Sequence, residues 1–543
     1  MLNSSKYGWQ NMNKIAKYLN EHIHGSAFST PRILDAYSTD RSVIKIKPDV
    51  VVLPNNVEDV RRVLRFADQL TARKIPVSVT VRGSGLDKTG ACLGSSIVLS
   101  MERMNKVSEI DVRQRLVRCQ AGATLGDINS ALALHGLTLP IHADPNETIG
   151  GIIASAGHYD VTKKSPSIHR CLEKAEFVLP SGDCFQTETF KKKALNHIVG
   201  QSNASSRFYR NLVNLLSDHS STIEDLLDPI AISPVGYSSI ARLSRPDGSL
   251  DVTPLLFGSQ GTLAVVTEVI LRCVFLPAPP DYIFAQFPDI DTTIEFAEQA
   301  TTIDPTTLDI YDLNIINKVS ASGKTLRPFA TDSLEEGFLA AVSLSDFKPR
   351  KRRSKLRTLT NIAKNATNFV ISDDSNYEDF TELHSLFLAY FNDANKTARL
   401  PLVDGALIPE DNLYAYIKGL KSLEEKHSCE LSLFGSYLSS TYSVRPEINL
   451  SSVTGRQFIL SFLRDYHDLL KDIDGYIVGD APEGRIKGLV TEPSFDPKVA
   501  ELFADIKKIF DPRGILNPGV KIDVNLRSTI RGLRTSYDTG IIT

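Results

Sequence analysis

The sequence predicts a mixed α/β protein built from two or more packed units. Three observations predict it. The chain has 543 residues, more than one hydrophobic core organises. Strand-like and helix-like stretches alternate along it. Three glycine-rich loops, far apart in sequence, each adjoin an apolar stretch. There is no internal repeat and no low-complexity segment.

The first unit is legible early. Asp49-Val50-Val51-Val52-Leu53 reads as a strand closed by Pro54. Asn56 then caps a helix, with Asp59 three residues on, much as in a capping box. Val57, Val60, Leu64 and Ala67 fall on one face of that helix. Ile75 to Val81 reads as the next strand, with Val77, Val79 and Val81 alternating against Ser78 and Thr80. It runs into Arg82-Gly83-Ser84-Gly85. A strand, a helix, a strand and then a glycine loop present backbone amides to a phosphate, and Arg82 adds a fixed charge. The second loop is Pro145-Asn146-Glu147-Thr148-Ile149-Gly150-Gly151, followed by the small residues Ala154, Ser155, Ala156 and Gly157. The third is Gly258-Ser259-Gln260-Gly261-Thr262-Leu263, ahead of Ala264-Val265-Val266.

Past Pro277-Ala278-Pro279-Pro280 the chain changes character, as a linker does. Phe338 to Leu344 reads as a strand, and Ser354 to Ala363 begins a helix. Further helices are expected near 410–425, 453–470 and 496–510. The last stops at Asp511-Pro512-Arg513-Gly514, where continuation is costly.

Composition is that of a globular protein, 42% hydrophobic and 23% charged. The net charge of −3 predicts neither nucleic-acid nor membrane binding in bulk. Residues 1–19 have no apolar core of signal-peptide length, and no apolar run approaches the roughly 18–20 residues that span a bilayer. The six cysteines form no CxxC pair, which argues against iron–sulfur, zinc or disulfide frameworks and for reduced thiols in the cytoplasm.

Each glycine loop alone is explained equally well by a tight turn. The first is neither a Walker loop, lacking Gly-Lys-Ser/Thr, nor a GxGxxG fingerprint. Three of them together suggest a long ligand held between two lobes, and a dinucleotide the size of FAD fits.

At this point the residues resemble a known family. Ala36-Tyr37-Ser38-Thr39-Asp40-Arg41-Ser42 and Pro48-Asp49-Val50-Val51-Val52-Leu53-Pro54 look like the opening of the FAD-linked D-lactate dehydrogenase and glycolate oxidase flavin-subunit group. That group belongs to the vanillyl-alcohol oxidase and p-cresol methylhydroxylase superfamily. Val81-Arg82-Gly83-Ser84-Gly85 resembles its pyrophosphate loop. Thr148-Ile149-Gly150-Gly151 after Pro145 resembles the segment beside flavin and pyrophosphate. Ala175 to Gly182 resembles a strand and turn before a hairpin. Gly258 to Leu263 resembles Gly-Ser-Glu-Gly-Thr-Leu, and Phe510 to Gly519 the C-terminal signature.

The resemblance implies an α+β fold: a bilobal p-cresol methylhydroxylase-type FAD-binding domain over 47–277 and an α+β cap with an antiparallel sheet over 278–475. A helical segment over 1–46 would precede them. A segment over 476–525 would return to the flavin, bringing Asn517 near its ring, and a basic tail over 526–543 would fray. The FAD-binding residues it implies are Arg82, Gly83, Ser84, Gly85, Leu86, Gly90, Pro145, Thr148, Ile149, Gly150, Gly151, Ser155, Gly157, Gly261, Val266 and Asn517. Leu86 stands where relatives with a histidyl link carry histidine, and no cysteine lies in 145–151, so FAD is expected to be non-covalent. Asp87 replaces a usual glycine and is expected to perturb the loop.

On the substrate side the family's Gly-His-x-Gly-Asp-Gly-Asn-x-His is replaced by Gly435-Ser436-Tyr437-Leu438-Ser439-Ser440-Thr441-Tyr442-Ser443, and its Glu-His-Gly by Asp480-Ala481-Pro482. Serine hydroxyls are poor substitutes for imidazoles, so no divalent metal is expected. Tyr442, Arg445, Glu483 and Lys487 are the substrate-face candidates, each rivalled by an ordinary surface reading. Lys396 and Arg399 match the family's carboxylate grip poorly. His158 is read equally as a flavin neighbour and as a loop histidine. Lys348 to Arg357 is a basic run, read first as a solvated helix.

The implied activity is FAD-dependent oxidation of the hydroxyl-bearing carbon of a small D-2-hydroxy acid such as D-lactate or glycolate. Oxygen, a quinone or a cytochrome would accept the electrons. No nucleic acid is expected, and at most a peripheral membrane contact. The alternatives are a sugar, sugar-lactone or other alcohol as substrate, or a flavin-binding protein without turnover.

Overall fold

A computed structural model describes residues 14–156, 168–226, 235–314, 336–372 and 398–536. Gly157, His158 and Lys396 lie outside them. Contacts divide the described chain into two units: residues up to Phe275 with Val478–Leu533, and Leu276–Ile477.

The first unit holds two sheets. In one, the strands run Ser26–Phe28, Val50–Leu53, Ile97–Ser100 and Val79–Arg82 in spatial order. The last three are parallel, and Ser26–Phe28 is antiparallel on the edge. The helix Val57–Ala72 is the crossover from Val50–Leu53 to Val79–Arg82, which lie on either side of Ile97–Ser100. Asn56 caps it by accepting from the Asp59 amide at 3.0 Å. Asp59 does not close the box on Asn56. Its buried carboxylate accepts instead from the amides of Asn55, His24 and Gly25, which ties the N-terminal segment down. Within the segment expected to be helical over 1–46, Ser26–Phe28 is a strand, because it finds an open strand edge at Val51–Leu53.

The strand expected from Ile75 begins only at Val79. Ile75 is exposed and Pro76 has no N–H to give a ladder, whereas Val79 pairs with Ile97 and donates to Ile515 O at 2.9 Å. The second sheet is antiparallel, in the order Val107–Asp111, Leu116–Gln120, Val265–Arg272, Leu172–Val178, Cys184–Gln186. The tail does not fray before residue 533. Asn525 caps a helix over Leu526–Gly532, and the Lys45 amide donates to Gly532 O at 2.7 Å.

The second unit is built on one eight-stranded sheet whose described pairings are all antiparallel. Its centre is Asp281–Phe287, Phe338–Leu344, Thr307–Asp312, Leu431–Ser436 and Thr441–Ile448. The helices Leu413–His427 and Val453–Asp472 are joined by a buried hydroxyl pair, Tyr416 to Tyr466 at 2.7 Å. The helix expected from Ser354 starts at Pro349, where proline's missing N–H costs nothing at a first helical position.

Candidate functional site

The three glycine loops meet inside the first unit. The strand Val79–Arg82 delivers Gly83, Ser84 and Gly85 from its C-terminal end. A Cβ on Gly83 would lie 2.1 Å from Thr148 Oγ1, so the first loop touches the second. Thr148 caps the short helix Ile149–Ser155 by accepting from the Gly151 amide at 3.3 Å. A Cβ on Gly150 would lie 2.9 Å from Ala121 O, so only glycine lets that helix approach the strand end beside it. The third loop is sewn to the same helix: the Gly258 amide donates to Ile153 O at 3.0 Å and the Gln260 amide to Ala154 O at 2.9 Å. Gly261, at φ +65°, packs on Val81, and Val266 lies half-buried in the following strand. Pro145 is exposed, its carbonyl accepting from the Gly126 amide at 2.8 Å, and Ser155 bonds back to Ile152 O.

The arrangement suits an anionic dinucleotide. Among the described hydrogen bonds none begins at the amides of Gly83, Ser84, Gly85 or Leu86, so four successive donors stay available.

Arg82 braces the first loop. Its side chain is buried and runs behind the loop, its Nη2 lying 2.1 Å from where a Gly85 Cβ would be. The guanidinium donates to Cys92 Sγ at 3.8 Å and lies 5.3 Å from the Tyr37 ring centre. Asp40, Asp87 and Cys92 present their ligand atoms within 4.8 Å of one another there. Burial, and then the charge of Asp87, pushes the Asp40 carboxyl up to about 7. Burial, and then Asp40, pushes the Cys92 thiol well up. Asp87 does not disrupt the loop. It closes the following turn, accepting from the Thr89 amide at 3.0 Å and the Ala91 amide at 2.7 Å, with Gly90 at φ +77° between them.

Asn517 anchors the returning segment. Its Nδ2 donates to Ala91 O and Gln260 O, both at 2.7 Å, while Oδ1 accepts from Thr80 and Arg485. All four hydrogen-bonding positions of that amide are used within the protein, so Asn517 positions loops.

The substrate-face candidates separate. Glu483 is fully buried: its carboxylate accepts from the Gly236 amide, from Gln260 Nε2 at 2.8 Å and from Lys521 Nζ at 2.8 Å. Lys487 is buried and donates to Ala481 O at 2.9 Å. Tyr442 and Arg445 belong to the other unit. Tyr442 is buried, its ring 6.2 Å from that of Tyr416, and burial pushes its phenol well up. Arg445 makes a two-point contact with Asp404 at 2.7 and 3.2 Å, both side chains buried, so the best anion-binding candidate already holds a carboxylate. Arg399 likewise meets Glu447 at 2.8 Å and Glu430 at 3.2 Å. Of the two serines that replace the histidines, Ser436 lies in the sheet opposite Asp309 and Thr441, and Ser443 accepts from the Gly405 amide at 3.0 Å.

Sequence reasoning missed Arg485. It donates to Gly90 O, Leu93 O, Pro518 O and Gly519 O, and burial lowers its guanidinium to about 10. The only signal was a basic residue after the altered Glu-His-Gly motif.

The fold is that of the p-cresol methylhydroxylase-type FAD-binding proteins. The solved structure of p-cresol methylhydroxylase with substrate bound superposes with a TM-score of 0.65 at 13% identity, covering 96% of this chain and 97% of that one. The sequence matches the FAD binding domain over residues 48–188 and the C-terminal domain of FAD linked oxidases over 276–520. The chain belongs to the FAD-linked oxidases that carry this pair of domains. It is 22% identical to the D-2-hydroxyglutarate dehydrogenase of Haemophilus influenzae over 92% of its own length, but spans only about half (50%) of that relative. It is 24% identical to the D-lactate dehydrogenase of Archaeoglobus fulgidus, covering 89% of this chain and 95% of the relative. Among the described residues no helix is long and apolar enough to cross a membrane.

Proposed function

We propose that the protein is an FAD-dependent oxidoreductase acting on the hydroxyl-bearing carbon of a small D-2-hydroxy acid. The single observation that carries this is the convergence of three glycine loops around four unpaired amides in a chain matching FAD-linked oxidases. Gly83 to Leu86 and the Thr148–Gly151 turn would hold the pyrophosphate. Asn517, Arg485 and Gln260 would hold the returning segment against them. FAD, when bound, supplies the two-electron acceptor for the chemistry. Attachment is non-covalent, because Leu86 offers no nucleophile and the Cys92 thiol is kept protonated by burial and Asp40. A small-molecule substrate and a separate electron acceptor (oxygen, a quinone or a cytochrome) complete the turnover.

A second reading keeps the chemistry and makes the substrate an uncharged alcohol, sugar or sugar lactone. The commitment of Arg445 to Asp404, and of Arg399 to Glu430 and Glu447, favours it. Anaerobic titration of the flavin-loaded protein separates the two. Bleaching by D-lactate, glycolate or D-2-hydroxyglutarate supports the first reading, and bleaching by sugars alone supports the second. Flavin that no substrate in the panel reduces would leave a binding protein without turnover.

A further inference from the structure

From Phe347 to Ser372 the chain carries eight lysines and arginines and no aspartate or glutamate. Most of that run is the helix Pro349–Ile362, described within its own unit. Its inner side is committed. Leu359 is buried, Arg352 is bonded to Asp281 at 2.8 Å, and Lys355 to Asp346 at 2.9 Å. Lys351 also reaches Asp346, at 2.8 Å. These three cations are neutralised and dock the helix on its sheet.

Arg350, Arg353 and Arg357 differ. At helical spacing of three and four they share the face opposite Leu359. All three are exposed, and none forms an ion pair among the described residues. Cations in a first turn also oppose the helix dipole, and no acidic residue in that turn relieves them. Local stability therefore gives no reason for this placement. Two residues before the helix, Phe347 is 61% exposed and among the most exposed large apolar side chains described.

We infer that this face, Arg350, Arg353 and Arg357 with Phe347, is a docking surface for a membrane bearing anionic phospholipid. Cations fixed on a rigid helix match a plane of negative headgroups, and an aromatic ring beside them has a place at the headgroup boundary. The helix back offers no groove to track a polynucleotide. The contact is peripheral and does not depend on the reaction proposed above.

Co-sedimentation of the full flavin-loaded chain with vesicles tests it, comparing phosphatidylcholine alone with phosphatidylcholine containing phosphatidylglycerol. Binding is expected only with the anionic lipid, weakening as salt rises. The triple variant Arg350→Gln, Arg353→Gln, Arg357→Gln is expected to bind about a hundredfold more weakly, from about 1 kcal/mol per cation and 1.4 kcal/mol per tenfold. Phe347→Ser is expected to weaken binding at unchanged salt dependence. Flavin content and circular dichroism of each variant check folding. No binding by the parent chain, equal binding to neutral vesicles, retention on RNA alone, or a folded triple variant that binds like the parent would overturn the inference.

Discussion

Breaking the Glu483 to Lys521 pair is expected to loosen the flavin cradle far from any glycine loop. Glu483 is 0% exposed and Lys521 2%. The carboxylate also accepts from Gln260 Nε2 and the Gly236 amide. Glu483→Ala removes all three bonds and leaves an ammonium buried without its counter-charge. Removing one partner of a buried ion pair costs about 3–5 kcal/mol. The Gln260 side chain, which spans Glu483 and the Gly484 amide, loses its anchor on the acidic side, so the third loop loosens too. The pair itself contributes less than that cost, because both charges were taken from water. A double variant, Glu483→Leu with Lys521→Met, is therefore expected to recover most of the loss and to cost far less than the two single losses added together. Urea denaturation followed by circular dichroism, with FAD dissociation measured on the same samples, reads both quantities. Glu483→Ala costing under about 1 kcal/mol, or two single losses that simply add, would refute this reading of the network.

Two further outcomes follow from the cradle. The folded Asp40 carboxyl titrates near 7 against an ordinary value of 3.8, so the folded chain holds a proton there that the unfolded chain gives up. The stability linked to this group is complete below about pH 4 and is lost as pH rises through 7. Asp40→Asn is expected to be more stable than the parent at pH 8 by a few kcal/mol and to lose that advantage at pH 4, measured by thermal unfolding; a difference independent of pH would contradict it. Gly85 sits at φ +74° with no room for a Cβ beside Arg82, so Gly85→Ala is expected to weaken FAD binding about tenfold to a hundredfold in a titration of apoprotein, and unchanged affinity would contradict the cradle.

The parts of the site legible in the sequence were those where backbone geometry dictates the residue. Gly83, Gly150 and Gly261 declare themselves because a close approach or a positive φ admits little else. The strand Phe338–Leu344 and the cap at Asn56 were legible for similarly local reasons. The setting of Arg82 was not legible, because the groups around it, Asp40 and Cys92, are brought there by the fold and Asp40 lies far upstream. Glu483 carries no local signal at all. Its Gln260 partner is 223 residues away, and a carboxylate in Pro-Glu-Gly-Arg reads as surface. The basic run Lys348 to Arg357 was legible as a solvated helix, and Pro349 marks its start. Such non-local pairings are fixed by packing, and periodicity does not report them.

The most direct measurement is the visible spectrum of the purified chain, before and after acid precipitation. The two absorption bands of oxidised flavin are expected in the native protein and, after precipitation, in the supernatant. A colourless protein that takes up no added FAD, or a pellet that keeps the yellow colour, would contradict the cradle or its non-covalent hold respectively.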